Sequence, residues 1–217
     1  MNLELIFKVL LVIHIIGGSI GLITGTINLV RKKGDKLHKN AGLFFLYGML
    51  INGFAGILMT LIHSNLFLFI IGIFSIYMAA TGQRYLSLKG LLKGEKPKII
   101  DWILSSVMLV FGFGFIIYGA LLLLSSNNFG VVLLVFGLVS ISMVYQDFQN
   151  YRGRSAIKNF WLLVHIQRMI GSYIAAATAF LVVNNTILPG IVAWLLPTVI
   201  LVPLILRWSN KYKIVSK

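Results

Sequence analysis

The run LIFKVLLVIHIIGGSIGLITGTINLV, residues 5–30, closed by Arg31-Lys32-Lys33, decides the fold. Its one charged residue is Lys8, and the rest is almost wholly apolar. A helix needs roughly 20 such residues to cross about 30 Å of hydrocarbon. Inside lipid each backbone N–H and C=O must find a partner within the protein, which an α-helix provides by itself.

Six further stretches read the same way, at about 41–63, 66–86, 99–124, 130–147, 159–184 and 188–207. The expectation is an all-α chain, a polytopic bundle of about seven transmembrane helices forming one transmembrane domain over residues 1–217. Composition agrees. Of 217 residues, 59% are hydrophobic and 11% charged, where a soluble domain carries about 25% charged residues. So short a chain cannot hide that excess in a water-soluble core. The absence of cysteine excludes disulfides, thiolate metal sites and cysteine nucleophiles.

The connections alternate in charge. Basic residues follow the first span (Arg31, Lys32, Lys33, Lys36, Lys39), the third (Arg84, Lys89, Lys93, Lys96, Lys98), the fifth (Arg152, Arg154, Lys158) and the seventh (Arg207, Lys211, Lys213, Lys217). The intervening connections, at Ser64-Asn65, Ser125 to Phe129 and Asn185 to Leu188, carry no Lys or Arg. Seventeen of the 19 basic residues thus fall on one side, the exceptions being Lys8 and Arg168. By the positive-inside rule the N-terminus lies outside and the C-terminus in the cytoplasm. The net charge of +14 then reads as contact with anionic lipid headgroups rather than with nucleic acid. The first span, with Glu4 before Lys8 and no small-x-small cleavage pattern, reads as a retained helix. Pro197 and Pro203 are expected to kink the seventh.

Titratable groups inside a bilayer are costly and mark candidate sites. At 1.5 Å per residue, His14 lies about 7 Å outward of the midplane and His165 about 10 Å inward. His38 is placed at the cytoplasmic edge, just before the second span, and His63 at the outer edge. Beside His14, the residues Gly17, Gly21 and Gly25 form two overlapping G-x-x-x-G steps. Such a strip admits a second helix or a flat ligand close to the backbone; association between copies stays open. In the sixth span His165, Arg168 and Ser172 share one face, with Tyr173 beside them. Asp101 and Asp147 are the carboxylates available to Arg168, for a tie between helices; alternatively the guanidinium anchors a ligand's carboxylate or phosphate. Gly48, Asn52 and Gly56 in the second span, and Gly112 and Gly119 in the fourth, read as packing faces. Tyr77, Thr81, Gln83, Arg84 and Trp102, with His38, Asp101, Asp147, His165 and Arg168, are expected to crowd a polar vestibule in the inner leaflet.

The segments LVIHIIGGSIGLITG (11–25), KLHKNAG (36–42), DWILSSVMLVFG (101–112) and VHIQRMIGSYIAAATAFLVVN (164–184) resemble a family of bacterial predicted membrane proteins catalogued as domain of unknown function 2306. The likeness spans nearly the whole chain. It implies a polytopic helical fold in a bacterial inner membrane, draws attention to His14, His38, His165 and Arg168, and implies no activity. The step from Leu37 to Gly42 also resembles the entry to haem-bearing helices of membrane b-type cytochromes.

Four functions stay open. A proton-linked or small-molecule transporter fits His14 and His165, which lie on oppositely running helices either side of the midplane. A b-type haem redox protein would need two histidines at similar depth, for which His38 and His165 come nearest. An accessory or sensory membrane protein needs neither. A lipid-acting enzyme is the fourth, although no H-x-x-x-H, H-E-x-x-H or serine-nucleophile motif is present, and no metal set is expected.

Overall fold

The computed structural model describes residues 2–215. They form seven α-helices and no strand: α1 (Leu3–Val30), α2 (Lys36–Thr60), α3 (Leu66–Tyr85), α4 (Ile99–Leu124), α5 (Phe129–Tyr151), α6 (Phe160–Asn184) and α7 (Gly190–Tyr212). All seven are long and apolar enough to cross a membrane. The chain is a multi-pass integral membrane protein.

Three helices depart from the expected spans; one is α7, which runs to Tyr212, five residues past the expected end. Helix α2 starts at Lys36 because Asp35 caps it, its carboxylate accepting the His38 N–H at 2.7 Å. His38 therefore lies in the first turn of α2 and not ahead of it. Helix α5 has 23 residues and runs on to Tyr151, so Asp147 sits one turn inside its end. The polar run Gln146, Asp147, Gln149 and Asn150 looks like the edge of the membrane. Asp147 and Asn150 are nevertheless buried, because they face protein. Pro197 and Pro203 both lie within α7.

The described residues divide into two compact units, 2–83 with 165–212, and 84–164 with 213–215. In the first, α1 and α2 run antiparallel along a glycine seam. A Cβ on Gly48 would stand 2.8 Å from the Gly17 carbonyl oxygen and 2.9 Å from Gly21 N. In lipid, close backbone approach replaces the hydrophobic drive that joins helices in water. Glu4 reaches His63 at 3.1 Å where α1 begins and α2 ends. The α3 and α6 segments of this unit are also antiparallel, as Ser75 to Ser172 and Gly82 to His165 show.

In the second unit α4 and α5 repeat the device, Gly112 and Gly119 meeting Gly137 and Gly130. An aromatic cluster of Tyr85, Tyr151 and Phe160 closes around Leu88, Leu91 and Val164.

Basic connections meet within each unit. Lys33 caps α1 by donating to the carbonyls of Asn28 (2.6 Å), Leu29 (2.8 Å) and Arg31 (3.0 Å), and lies 4.2 Å from the Trp208 ring at the end of α7. Burial pushes its ammonium below the ordinary lysine value. In the second unit Lys89 stacks on Trp161 at 4.5 Å. There the tail returns to the α5–α6 connection, with Lys158 N–H donating to the Ile214 carbonyl at 2.9 Å.

Candidate functional site

In the first unit, His14 engages α2. Its Nδ1 is 3.0 Å from the Asn52 carbonyl, so that nitrogen carries the proton and donates. The Asn52 amide donates back to the His14 carbonyl at 2.9 Å and sits 3.4 Å from Nε2. Gly17, Gly21 and Gly25 are buried, and the space over them is filled by Asn52, Met49, Tyr173 and Phe45. No room for a flat ligand remains on that strip. Tyr173 lies against Gly25, and its hydroxyl is 2.7 Å from Thr26 Oγ1.

His165 is tied to α3, its Nδ1 donating to the Gly82 carbonyl at 2.8 Å. Its Nε2 therefore holds the lone pair. His38 is close enough to His165 to interact electrostatically. In the amide orientation that satisfies both partners, Asn28 donates to His38 Nδ1 at 3.1 Å, which puts the His38 proton on Nε2. Arg168 is 2% exposed; it donates to Thr81 Oγ1 at 3.2 Å, and its guanidinium carbon lies 4.7 Å from the Tyr77 ring centre. One turn deeper, Ser172 donates to the Ser75 carbonyl at 3.4 Å, and the buried Ser75 hydroxyl has no partner among the described residues.

The second unit holds both candidate carboxylates, each fully buried. Asp101 opens α4, where its carboxylate takes Arg84 in a two-pronged pair (Nε to Oδ1 2.8 Å, an Nη to Oδ2 3.0 Å) and the Lys98 N–H at 2.8 Å. Every one of these partners is a donor. Asp147 accepts from two hydroxyls. Tyr85 donates to Oδ1 at 2.6 Å and Ser105 to Oδ2 at 2.9 Å. The network continues on both sides: Asn150 donates to the Tyr85 oxygen at 3.1 Å, Ser105 Oγ lies 3.1 Å from Tyr151 OH, and Tyr151 donates to the Asp101 carbonyl at 3.3 Å. Hydroxyls both donate and accept, so Tyr85 and Ser105 can satisfy a protonated Asp147 as readily as an ionised one.

Of the residues expected in one vestibule, the first unit brings His38, Tyr77, Thr81, His165 and Arg168 together. The second brings Arg84, Asp101, Trp102 and Asp147 together, Trp102 packing on Phe148 and Tyr151. Tyr85, Ser105, Asn150 and Tyr151 were not singled out from sequence. A signal existed: Asp101 with Ser105 and Asp147 with Tyr151 are polar pairs at i, i+4, hence on common helix faces. Among the described residues no group of three or more His, Asp or Glu side chains is placed to hold a metal. No protein-family model, curated protein or solved structure matches this chain.

Proposed function

We propose that this protein is a proton-linked carrier of small solutes in a cell membrane, oriented with its N-terminus outside and its basic connections against the anionic headgroups of the cytoplasmic leaflet. We place it beside the family catalogued as domain of unknown function 2306, which brings no activity to the reading. One observation carries it. Asp147 is a carboxylate with no exposed surface, in a helix that crosses the membrane, and its two oxygens are met by hydroxyls that can serve either protonation state. Intramembrane carboxylates mark proton relays in carriers.

The test uses the full chain in phosphatidylethanolamine–phosphatidylglycerol vesicles loaded with a pH dye. A panel of small organic acids, amines and inorganic cations is offered across an imposed pH gradient. At least one solute is expected to give protein-dependent proton movement, lost in Asp147→Asn and retained in Gly114→Ala, whose added methyl group meets nothing within 4 Å. Protein that is folded and inserted yet moves no protons with any of the panel sinks the reading.

A second reading, b-type haem ligation, has one feature in its favour. His165 donates Nδ1–H to a backbone carbonyl, the arrangement that orients ligating histidines. His38, whose Nδ1 accepts from Asn28, would have to exchange tautomers to join it. Purified protein with a Soret band that His165→Ala removes would favour haem; colourless protein after growth with haem precursor excludes it.

A further inference from the structure

We infer that His14 is a further proton-binding site, and that a proton on its Nε2 releases the Asn52 amide that clamps α1 to α2. The inference deepens the carrier reading and rests on it for its purpose, but makes no use of Asp147.

The site is built from one turn of each helix. The His14 ring lies on Gly56, where a Cβ would stand 3.3 Å from Nδ1 and 3.4 Å from Cε1. The Asn52 amide lies on Gly18, where a Cβ would stand 2.6 Å from its nitrogen. Each glycine thus makes room for a polar side chain of the opposite helix. Nδ1–H donates to the Asn52 carbonyl at 3.0 Å. The two hydrogens of the Asn52 amide go to the His14 carbonyl, at 2.9 Å, and to Nε2, at 3.4 Å. That set is complete only for a neutral ring, because Nε2 must supply a lone pair.

A proton bound at Nε2 forms one N–H bond and changes no other covalent bond. The nitrogen then meets the amide as donor against donor. Turning the amide over gives no relief. Its oxygen would accept from Nε2–H, but would also face the His14 carbonyl, now 2.9 Å from the amide nitrogen, as acceptor against acceptor. Neither orientation satisfies every group, so the amide leaves its place over Gly18, and α1 and α2 lose part of the polar tie beside their glycine seam. Neither His14 nor Asn52 is fully buried. The other titratable or charged side chains of these helices stand away from the pair along the chain. Lys8 and the Glu4–His63 pair lie toward the start of α1 and the end of α2. Tyr47 lies toward the start of α2, and Tyr77 toward the end of α3. From Tyr173 to Arg207, which covers the rest of α6 and most of α7, the sequence has none between those two residues.

The test is nitrogen NMR of the full chain in lipid nanodiscs across a pH titration, with histidine ring and asparagine amide nitrogens labelled. The signals of His14 and Asn52 are identified by their loss in His14→Gln and Asn52→Ala. In the native protein the His14 ring is expected to change from one protonated nitrogen to two on acidification, and the Asn52 amide signal to shift at the same midpoint. Gly18→Ala, whose methyl group displaces the amide, should lose the acid-dependent Asn52 shift while the ring still takes up its proton. The ring should take up its proton in Asn52→Ala as well. A ring that keeps one bare nitrogen down to about two pH units below the ordinary histidine value overturns the proton site. A ring that gains its proton while the native Asn52 signal stays in place overturns the release. The expected titration in protein that moves no protons with any solute in vesicles sinks the carrier reading and leaves the switch standing.

Discussion

Gly48→Ala is the sharpest test of how α1 and α2 are held together. A Cβ at residue 48 would meet backbone on both sides, 2.8 Å from the Gly17 oxygen and 2.9 Å from Gly21 N. Backbone in a helix cannot step aside as a side chain can. Restoring ordinary contact at about 3.4 Å requires the helices to part by about 0.6 Å, a gap that forfeits a quarter to a half of each dispersion contact along the seam. The same movement would stretch the His14 Nδ1 to Asn52 carbonyl bond from 3.0 Å to about 3.6 Å, beyond hydrogen-bonding range. Overpacking of this kind costs about 1–3 kcal/mol. A lost interhelical polar contact in a membrane adds about 0.6 kcal/mol. The better helix propensity of alanine offsets up to about 1 kcal/mol. The net expectation is a loss of about 2 kcal/mol. Gly114→Ala is the matched control: its Cβ has nothing within 4 Å, so only the propensity gain remains. Unfolding free energies by steric trapping in bicelles should separate the two variants by about 2–3 kcal/mol. If they agree within about 0.5 kcal/mol, the seam is not what positions these helices.

Other expectations follow from single contacts. Ser75→Ala should leave stability unchanged or raise it by up to about 1 kcal/mol, since the hydroxyl is buried without a partner and its removal lifts a desolvation cost; a clear loss in the same unfolding assay would mean the hydroxyl is satisfied. Asn52→Leu should weaken α1–α2 packing by about 1 kcal/mol through the lost bonds to His14, and His14→Ala should add little to it in the double variant. The His38 N–H bond holds the Asp35 carboxyl below its ordinary value of 3.8. A depressed carboxyl stabilises the fold fully above its unfolded value and loses that contribution as pH falls through the folded one. Exchange at the start of α2 should therefore accelerate on acidification below 3.8 in native protein, and not in Asp35→Ala, whose exchange is fast throughout.

The spans were legible because bilayer thickness, not tertiary detail, fixes their length: α4 and α6 fall within a residue of the hydropathy reading. The displaced start of α2 and end of α5 had local causes that hydropathy does not weigh. Asp35 is a side-chain cap, and Asp147 and Asn150 are polar residues buried by packing. The site was legible by halves. Carboxylates within spans are conspicuous, and Asp101 and Asp147 stood out on that ground. Tyr85, Ser105 and Tyr151 did not, because tyrosine and serine are ordinary residues near membrane interfaces. Asn52 was visible as part of a packing face, but its pairing with His14 depends on the register between two helices. Period along one helix cannot supply that register.

A last prediction concerns Asp101. Its partners, the Arg84 guanidinium and the Lys98 N–H, can only donate. Asp101→Asn would turn an amide NH2 toward them and leave the Arg84 charge uncompensated. Breaking a buried ion pair on one side costs about 3–5 kcal/mol, but the Arg84 side chain keeps 25% exposure, and solvent screening lowers the expected loss to about 2–3 kcal/mol. Replacing the cation as well, in Asp101→Asn with Arg84→Met, removes the unpaired donors and should return most of that loss. The double-mutant cycle should thus show about 2 kcal/mol of coupling between residues 84 and 101. Additive losses, within about 0.5 kcal/mol, would mean that the pair does not anchor the start of α4.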